Sequence, residues 1–325
     1  MDRRRLKKQE TNSDTSMATR AAWLHYAGGL TQSEVAKRLG LTSLKAHRLI
    51  TRANQDGLVK VFVDGDVTEC VELEAELSGK YGLDYCEVVP DFDNSDLPLK
   101  ALGIAGAKFL KREIEQGKYS LIGVGHGRSL AACVDHLPAI SASNTDFVSM
   151  LGGFSRKFSA NPHVVIHRLA ERTGGQAFVM PVPFYANSEE DKNVLLSQRG
   201  MAEVLDMARN CELKVVGIGT TEPDASLIAT GMIEPDEFEE AKAAGGVAEL
   251  LGHFLNGAGE AITTALSERT MSLPLADVKN SKIVAIAGGT MKIRAIRSVL
   301  RSRFLSGLIT DERSARALME LRADC

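Results

Sequence analysis

The sequence predicts an α/β protein: an N-terminal winged helix-turn-helix followed by a mostly parallel sheet flanked by helices. Three observations predict it. Two short amphipathic helices with capping signals lie on either side of Gly40. Basic charge is concentrated in the same region, with 12 Lys and Arg against 5 Asp and Glu in residues 1–60, whereas the whole chain carries 39 against 42. Beyond Tyr85, apolar runs of strand length alternate with helical stretches to the end of the chain, the pattern of a parallel sheet with crossover helices.

The head is justified element by element. "AAWLHYA" reads as a first helix closed by Gly28 and Gly29. In "TQSEVAKRL", Thr31 with Glu34 three residues later is a capping-box signature. That helix turns Val35, Ala36 and Leu39 inward and stops at Gly40, where a left-handed corner suits glycine. Thr42 or Ser43 caps the next helix, "SLKAHRLITRANQDG", which buries Ala46, Leu49, Ile50 and Ala53. Lys45, His47, Arg48 and Arg52 are left outside, and with Gln32 and Ser43 they form the candidate DNA-contact set. Cations there pair with phosphates, and Arg48 or Lys45 also matches guanine edges in the major groove. The alternating run "LVKVFVDGD" reads as a wing. An ordinary helical hairpin with a solvated face explains any one of these features, but their conjunction favours double-stranded DNA.

Four segments follow: a basic tail over residues 1–17, in which Met17 is a candidate start; the head over 18–65; a linker helix over 66–84; and the body over 85–325. In the linker, Val67, Val71, Leu77 and Tyr81 recur at helical spacing. It joins head to body and offers a surface for pairing two protomers, a plain surface helix being the alternative.

In the body, the loops after the strands carry the information. Four are glycine-rich or polar: "GVGHGRS" (Gly123–Ser129), "LGGFS" (Leu151–Ser155), "GIGTT" (Gly217–Thr221) and "AGGTMK" (Ala287–Lys292). Ligands of open parallel sheets sit at the carboxyl ends of the strands, where helix amino termini attract anions. Arg128, Ser129 and Lys292 stand where such a group is held. For "GIGTT", tight strand–helix packing is an equal explanation. A dinucleotide is excluded, because the spacing is G-x-G-x-G and no acid follows to take the ribose, and no phosphate loop of the G-x-x-x-x-G-K-[ST] type exists. No cofactor is expected.

Bulk properties narrow the class further. Hydrophobic residues make up 44% of 325 and charged residues 25%, ordinary for a globular protein. No apolar run has the length to span a bilayer, and the opening is charged with no apolar core behind it, so neither a membrane nor a signal peptide is expected. Five scattered cysteines with no C-x-x-C fit a reducing cytoplasm and no metal site.

Taken together, these residues resemble the SorC family of sugar-responsive bacterial transcriptional regulators, over almost the whole chain after Met17. "YAGGLTQSEVA" matches the family's Y-x-x-G-x-T-Q-x-E-I-A, and "GVGHGRS" its G-x-G-W-G-R-T, with His126 for Trp and Ser129 for Thr. "VAIAGGTMKIRAIRSVL" followed by "GLITDERSARALM" matches its C-terminal signature. Within the family the chain is most similar to regulators of polyol catabolism such as erythritol repressors. The resemblance implies a body similar to sugar-phosphate isomerases, operator DNA as partner, a homo-oligomer (dimer or tetramer), and a sugar, polyol or sugar phosphate as effector. It places the effector pocket at Gly125, Gly127, Arg128 and Ser129, then Gly152 and Gly153, then Gly289, Lys292 and Asp311. The family's G-A-V-G-D is here "GGVAE", so Ala248 and Glu249 replace a glycine and an aspartate near the ligand, and His126 alters the pocket wall.

The rival is an isomerase or hydrolase using the same pocket, with Glu249 or Asp311 as base and His126 or His253 as acid. Hydrogen bonding to a bound polyol accounts equally for those groups. The basic head decides for a repressor-type regulator with no catalytic residues, since an isomerase has no use for it.

Overall fold

Capping decides where the head's helices start and stop. The computed structural model describes residues 16–59, 68–91, 97–140, 144–154, 165–223, 225–278 and 281–321. Its chain divides into two units, Met1–Gly65 and Asp66–Cys325. In the first unit, α1 spans residues 16–26, so it begins earlier than "AAWLHYA" and takes in Ser16 and Met17, which the sequence assigned to the tail. Helices α2 (Gln32–Leu39) and α3 (Ser43–Gln55) follow. Thr31 accepts from the Glu34 N–H while the Glu34 carboxylate takes the Thr31 N–H at 2.8 Å, a reciprocal capping box. Gly40 ends α2 at φ 66°, ψ 34°. Thr42, not Ser43, caps α3, with Ser43 its first helical residue. Ala18, Ala21, Leu24, Val35, Ala36, Ala46, Leu49, Ile50 and Ala53 form one small core. The wing falls mostly on residues 60–67, outside the described residues.

The second unit opens with α4 (Thr68–Tyr81) and β1 (Tyr85–Val89), then α5 (Leu99–Glu115), β2 (Leu121–Val124), α6 (Arg128–His136), β3 (Asp146–Phe154), α7 (Ile166–Thr173) and β4 (Ala177–Pro183). Helices α8 (Glu189–Leu196) and α9 (Met201–Asn210) lead to β5 (Leu213–Val216) and β6 (Gly219–Thr220). Next come α10 (Ser226–Ala229), α11 (Pro235–Ala243), β7 (Gly246–Leu250), β8 (His253–Asn256), α12 (Ala265–Arg269) and α13 (Leu275–Val278). β9 (Lys282–Ile286), α14 (Ile293–Arg301), β10 (Gly307–Asp311) and α15 (Glu312–Glu320) close the chain.

Seven strands form one parallel sheet in the order β1-β10-β9-β5-β2-β3-β4. Alternating side chains feed two cores, as a sheet covered on both faces requires. Ile122, Val124, Leu213, Val215, Val284 and Ile286 pack with α5, α6 and α7 on one face. Met150, Val216, Ile283, Ala285 and Leu308 pack with α4, α9, α14 and α15 on the other. The mostly parallel α/β architecture expected from the alternation is therefore present. In α4 the buried stripe is Cys70, Leu73, Leu77 and Tyr81, while Val71, one of the positions at helical spacing in the sequence, is 59% exposed. β6, β7 and β8 make a separate antiparallel sheet that the sequence reading missed.

Two glycines separate packing from propensity. A Cβ on Gly103 of α5 would stand 2.8 Å from the Ala132 carbonyl oxygen of α6, whereas one on Gly79 of α4 meets nothing within 4 Å. Gly103→Ala should lose about 1–3 kcal/mol by overpacking, and Gly79→Ala should gain about 0.5–1 kcal/mol by restricting the unfolded chain and favouring helix. Opposite shifts of the urea midpoint are the expected readout.

Candidate functional site

Two surfaces concern function, one in each unit. In the head, Ser43, Lys45, His47 and Arg48 are exposed along α3, with Gln32 and Arg52 half-buried beside them. His47 Nδ1 lies 3.1 Å from Gln32 Oε1, so these two members of the candidate set are bonded to each other across the turn. Arg52 Nε is 3.3 Å from Asp56 Oδ2 one turn on, an exposed pair worth little in water. Lys45 and Arg48 take part in no ion pair among the described residues. Their positive charge is not consumed within the head.

In the body, chain progression across the sheet reverses between β2 and β5, and a crevice opens at the carboxyl ends of those two strands. The β2–β5 ladder runs one residue past β2, where the Gly125 N–H donates to Val215 O at 2.9 Å. Gly127 then takes φ 128°, open to glycine, and starts α6 with no side-chain cap. The first N–H groups of α6 therefore face the crevice beside Arg128 and Ser129. Ser129 is 3% exposed, and its hydroxyl has no hydrogen-bond partner. A buried polar atom left unpaired costs free energy unless a ligand or water completes it.

The opposite wall comes from Gly217–Thr220 after β5, from α10 through Ser226 and Leu227, and from Glu249 on β7. Lys292, in the turn before α14, donates its Nζ to Ile218 O at 2.7 Å. His126 stacks edge-on against Phe184 with ring centroids 4.9 Å apart. Glu249 Oε1 accepts the Gly252 N–H at 2.5 Å, and a Cβ on Gly219 would stand 2.3 Å from Oε2. Burial pushes the Glu249 carboxyl above the usual carboxylate range, against the lowering effects of the Gly252 N–H and of Lys292. The space enclosed is about 40 Å³.

Gly125, His126, Gly127, Arg128, Ser129, Glu249 and Lys292 thus come together, and four members of the expected pocket do not line it. Gly152 and Gly153 lie within β3, and a Cβ on Gly152 would stand 2.1 Å from Pro183 O, so the requirement there is close strand approach. Gly289 is buried and gives its N–H to Asp311 Oδ1 at 2.7 Å and Ser314 Oγ at 2.9 Å. Asp311 is 1% exposed and caps α15 through the Ser314 N–H. Both are taken up in joining the ends of β9 and β10. His253, the alternative acid, also lies away from the crevice lining, its Nε2 3.0 Å from Leu273 O and 3.2 Å from Ser272 Oγ, and burial lowers its pKa. Thr220, Ser226 and Leu227 were not picked out as ligand residues. The position of "GIGTT" after a strand was the only signal for the first, and the other two had none.

Known proteins resemble this chain in sequence and fold. The Sugar-bind family profile, which describes a sugar-binding domain, matches residues 65–320. The erythritol catabolism regulatory protein EryD of Brucella abortus (strain 2308) is 56% identical over 308 residues, covering 95% of this chain and 98% of that protein. The transcriptional regulator LsrR of Enterobacter sp. (strain 638) is 30% identical, covering 95% of this chain and 94% of that protein. The crystal structure of the full-length sorbitol operon regulator SorC from Klebsiella pneumoniae superposes with a TM-score of 0.73 over 94% of this chain and 98% of that one. At 23% identity it shows a shared fold.

The Glu249 shift has a measurable sign. Its folded pKa lies above the unfolded value of about 4.3, so between the two values the native state holds the proton more tightly, and stability falls as pH rises through that window. Glu249→Gln removes this loss while keeping an acceptor for the Gly252 N–H. The variant should match the parent below about pH 4 and melt at higher temperature above the window, a divergence read by thermal unfolding across pH.

Proposed function

The chain belongs to the SorC family of transcriptional regulators, and we propose that a small anionic polyol, a sugar or polyol phosphate, is the effector that controls its grip on DNA. One observation carries the ligand class: the buried, unpartnered Ser129 hydroxyl beside Arg128 at the uncapped start of α6. Hydroxyl, guanidinium and helix dipole together suit a phosphate group. Since the 56% identical relative is named for erythritol catabolism, a four-carbon polyol or its phosphate is the first candidate. The regulator acts in the cytoplasm as a repressor of a polyol catabolic operon, and works as a dimer or tetramer, because one recognition helix reads only a few base pairs. The set Gln32, Ser43, Lys45, His47, Arg48 and Arg52 meets the duplex.

Two facts favour a receptor over an enzyme. Asp311 and His253 are engaged elsewhere, and Glu249 is held by the Gly252 N–H. A thermal-shift panel of erythritol, its phosphates, pentoses and pentose phosphates tests this. A ligand that binds the native state should raise Tm by mass action, and the hit should be recovered unchanged. Conversion to product would establish the enzyme.

Arg128→Ala and Ser129→Ala should each abolish the Tm shift while leaving DNA affinity without effector intact, locking the unliganded state because no differential affinity remains. DNA affinity itself should fall steeply with salt, and Arg48→Ala should weaken binding by about 1–3 kcal/mol if it meets a base. Band-shift titrations at several salt concentrations check both.

A further inference from the structure

Helix α3 carries one large apolar side chain that its core does not use. Leu44 is 61% exposed. At about 100° per residue, the buried side of α3, defined by Ala46, Leu49, Ile50 and Ala53, points roughly opposite to Leu44. Leu44 is therefore central on the outward face, not at its margin. Arg48 lies one turn further along that face, and His47 and Thr51 flank it. His47 is tied to Gln32, while the charges of Lys45 and Arg48 are unpaired among the described residues. Leu44 is also the second residue of α3, and the first turn of a recognition helix is the part that reaches base edges.

Cations around an exposed leucine match a chemically mixed partner, polyanionic outside and apolar at isolated points within. The floor of the DNA major groove fits that description. Its only apolar projection is the C5-methyl of thymine, which apolar side chains contact. We propose that Leu44 is a specificity-determining residue that reads a thymine methyl in each half-site, with Lys45 and Arg48 supplying the cationic contacts around it. This rests on the DNA-binding reading above and deepens it. Leu44 makes no phosphate contact in this arrangement, so it contributes to sequence choice and not to the salt dependence of binding.

The experiment uses the full chain and a random-sequence duplex pool, from which the wild type selects its preferred site. Each thymine of that site is then replaced singly by uracil, which removes the methyl and nothing else. In the wild type, one thymine per half-site should show about a fourfold loss of affinity on methyl removal, the factor that burial of one such group supplies. Leu44→Ala should bind the thymine and uracil duplexes equally, and Leu44→Gln should likewise lose the methyl effect. Both should keep the wild-type salt slope and melting temperature, since the side chain is exposed and α3 retains its core. A wild type insensitive to every methyl, or a methyl effect that persists in both variants, overturns the proposal. If the wild type selects no sequence at all, the DNA-binding reading itself fails, an outcome distinct from a selected site with no methyl effect.

Discussion

The ligand-binding capacity of the body rests on the direction in which the chain crosses its sheet. From β2 it winds one way through β3 and β4, and from β5 the other way through β9 and β10 to lie beside β1. Connections leaving two neighbouring parallel strands in opposite directions cannot cover the gap between them. The gap is lined by Gly125–Ser129 and Gly217–Thr220, and it receives the amino terminus of α6. Glycine at 127 lets the backbone turn into the helix with its N–H groups uncapped, so the anion-attracting end is delivered by topology.

Hydrogen bonding distinguishes Asp311, which builds the fold, from Ser129, which borders the crevice. Asp311, Ser314 and Gly289 are buried and bonded to one another across the ends of β9, β10 and α15. Lys214 is fully buried yet donates to Arg209 O, Cys211 O and Ser281 Oγ. A buried donor so completely used is structural. Ser129 is as deeply buried and has nothing. Family motifs mark Asp311 and Ser129 alike, and only the hydrogen-bond account tells them apart.

Periodicity made most of the fold legible. The parallel strands and their major crossover helices follow from alternating apolar runs and helical stretches, and the head follows from Thr31, Glu34 and Gly40. The β7–β8 hairpin was not legible, because its turn places Leu251 at φ 52° before Gly252 at φ 82°. A leucine where asparagine or glycine is usual hides the turn inside an apolar run. In α4 the apolar spacing of Val71, Leu77 and Tyr81 does not mark the buried stripe, because Cys70 and Leu73 are buried and Val71 is exposed. At the site, the residues of "GVGHGRS" and Lys292 were legible from motif and charge. The roles of Gly152, Gly289 and Asp311 were not, since a glycine needed for close strand approach looks the same in sequence as one needed by a ligand.

The β7–β8 hairpin sets how Glu249 sits at the crevice wall. Glu249 reaches forward past the end of its own strand to the Gly252 N–H, so the Leu251–Gly252 turn fixes one carboxyl oxygen. Gly219 on β6 lacks the Cβ that would collide with the other. Ala248 is fully buried opposite Thr220 and Leu255 and does not line the crevice. The Glu249 carboxyl oxygens are acceptors for a polyol hydroxyl, whereas Arg128 and the start of α6 only donate. The two walls are chemically unlike, and a ligand with an anion at one end and hydroxyls at the other satisfies both.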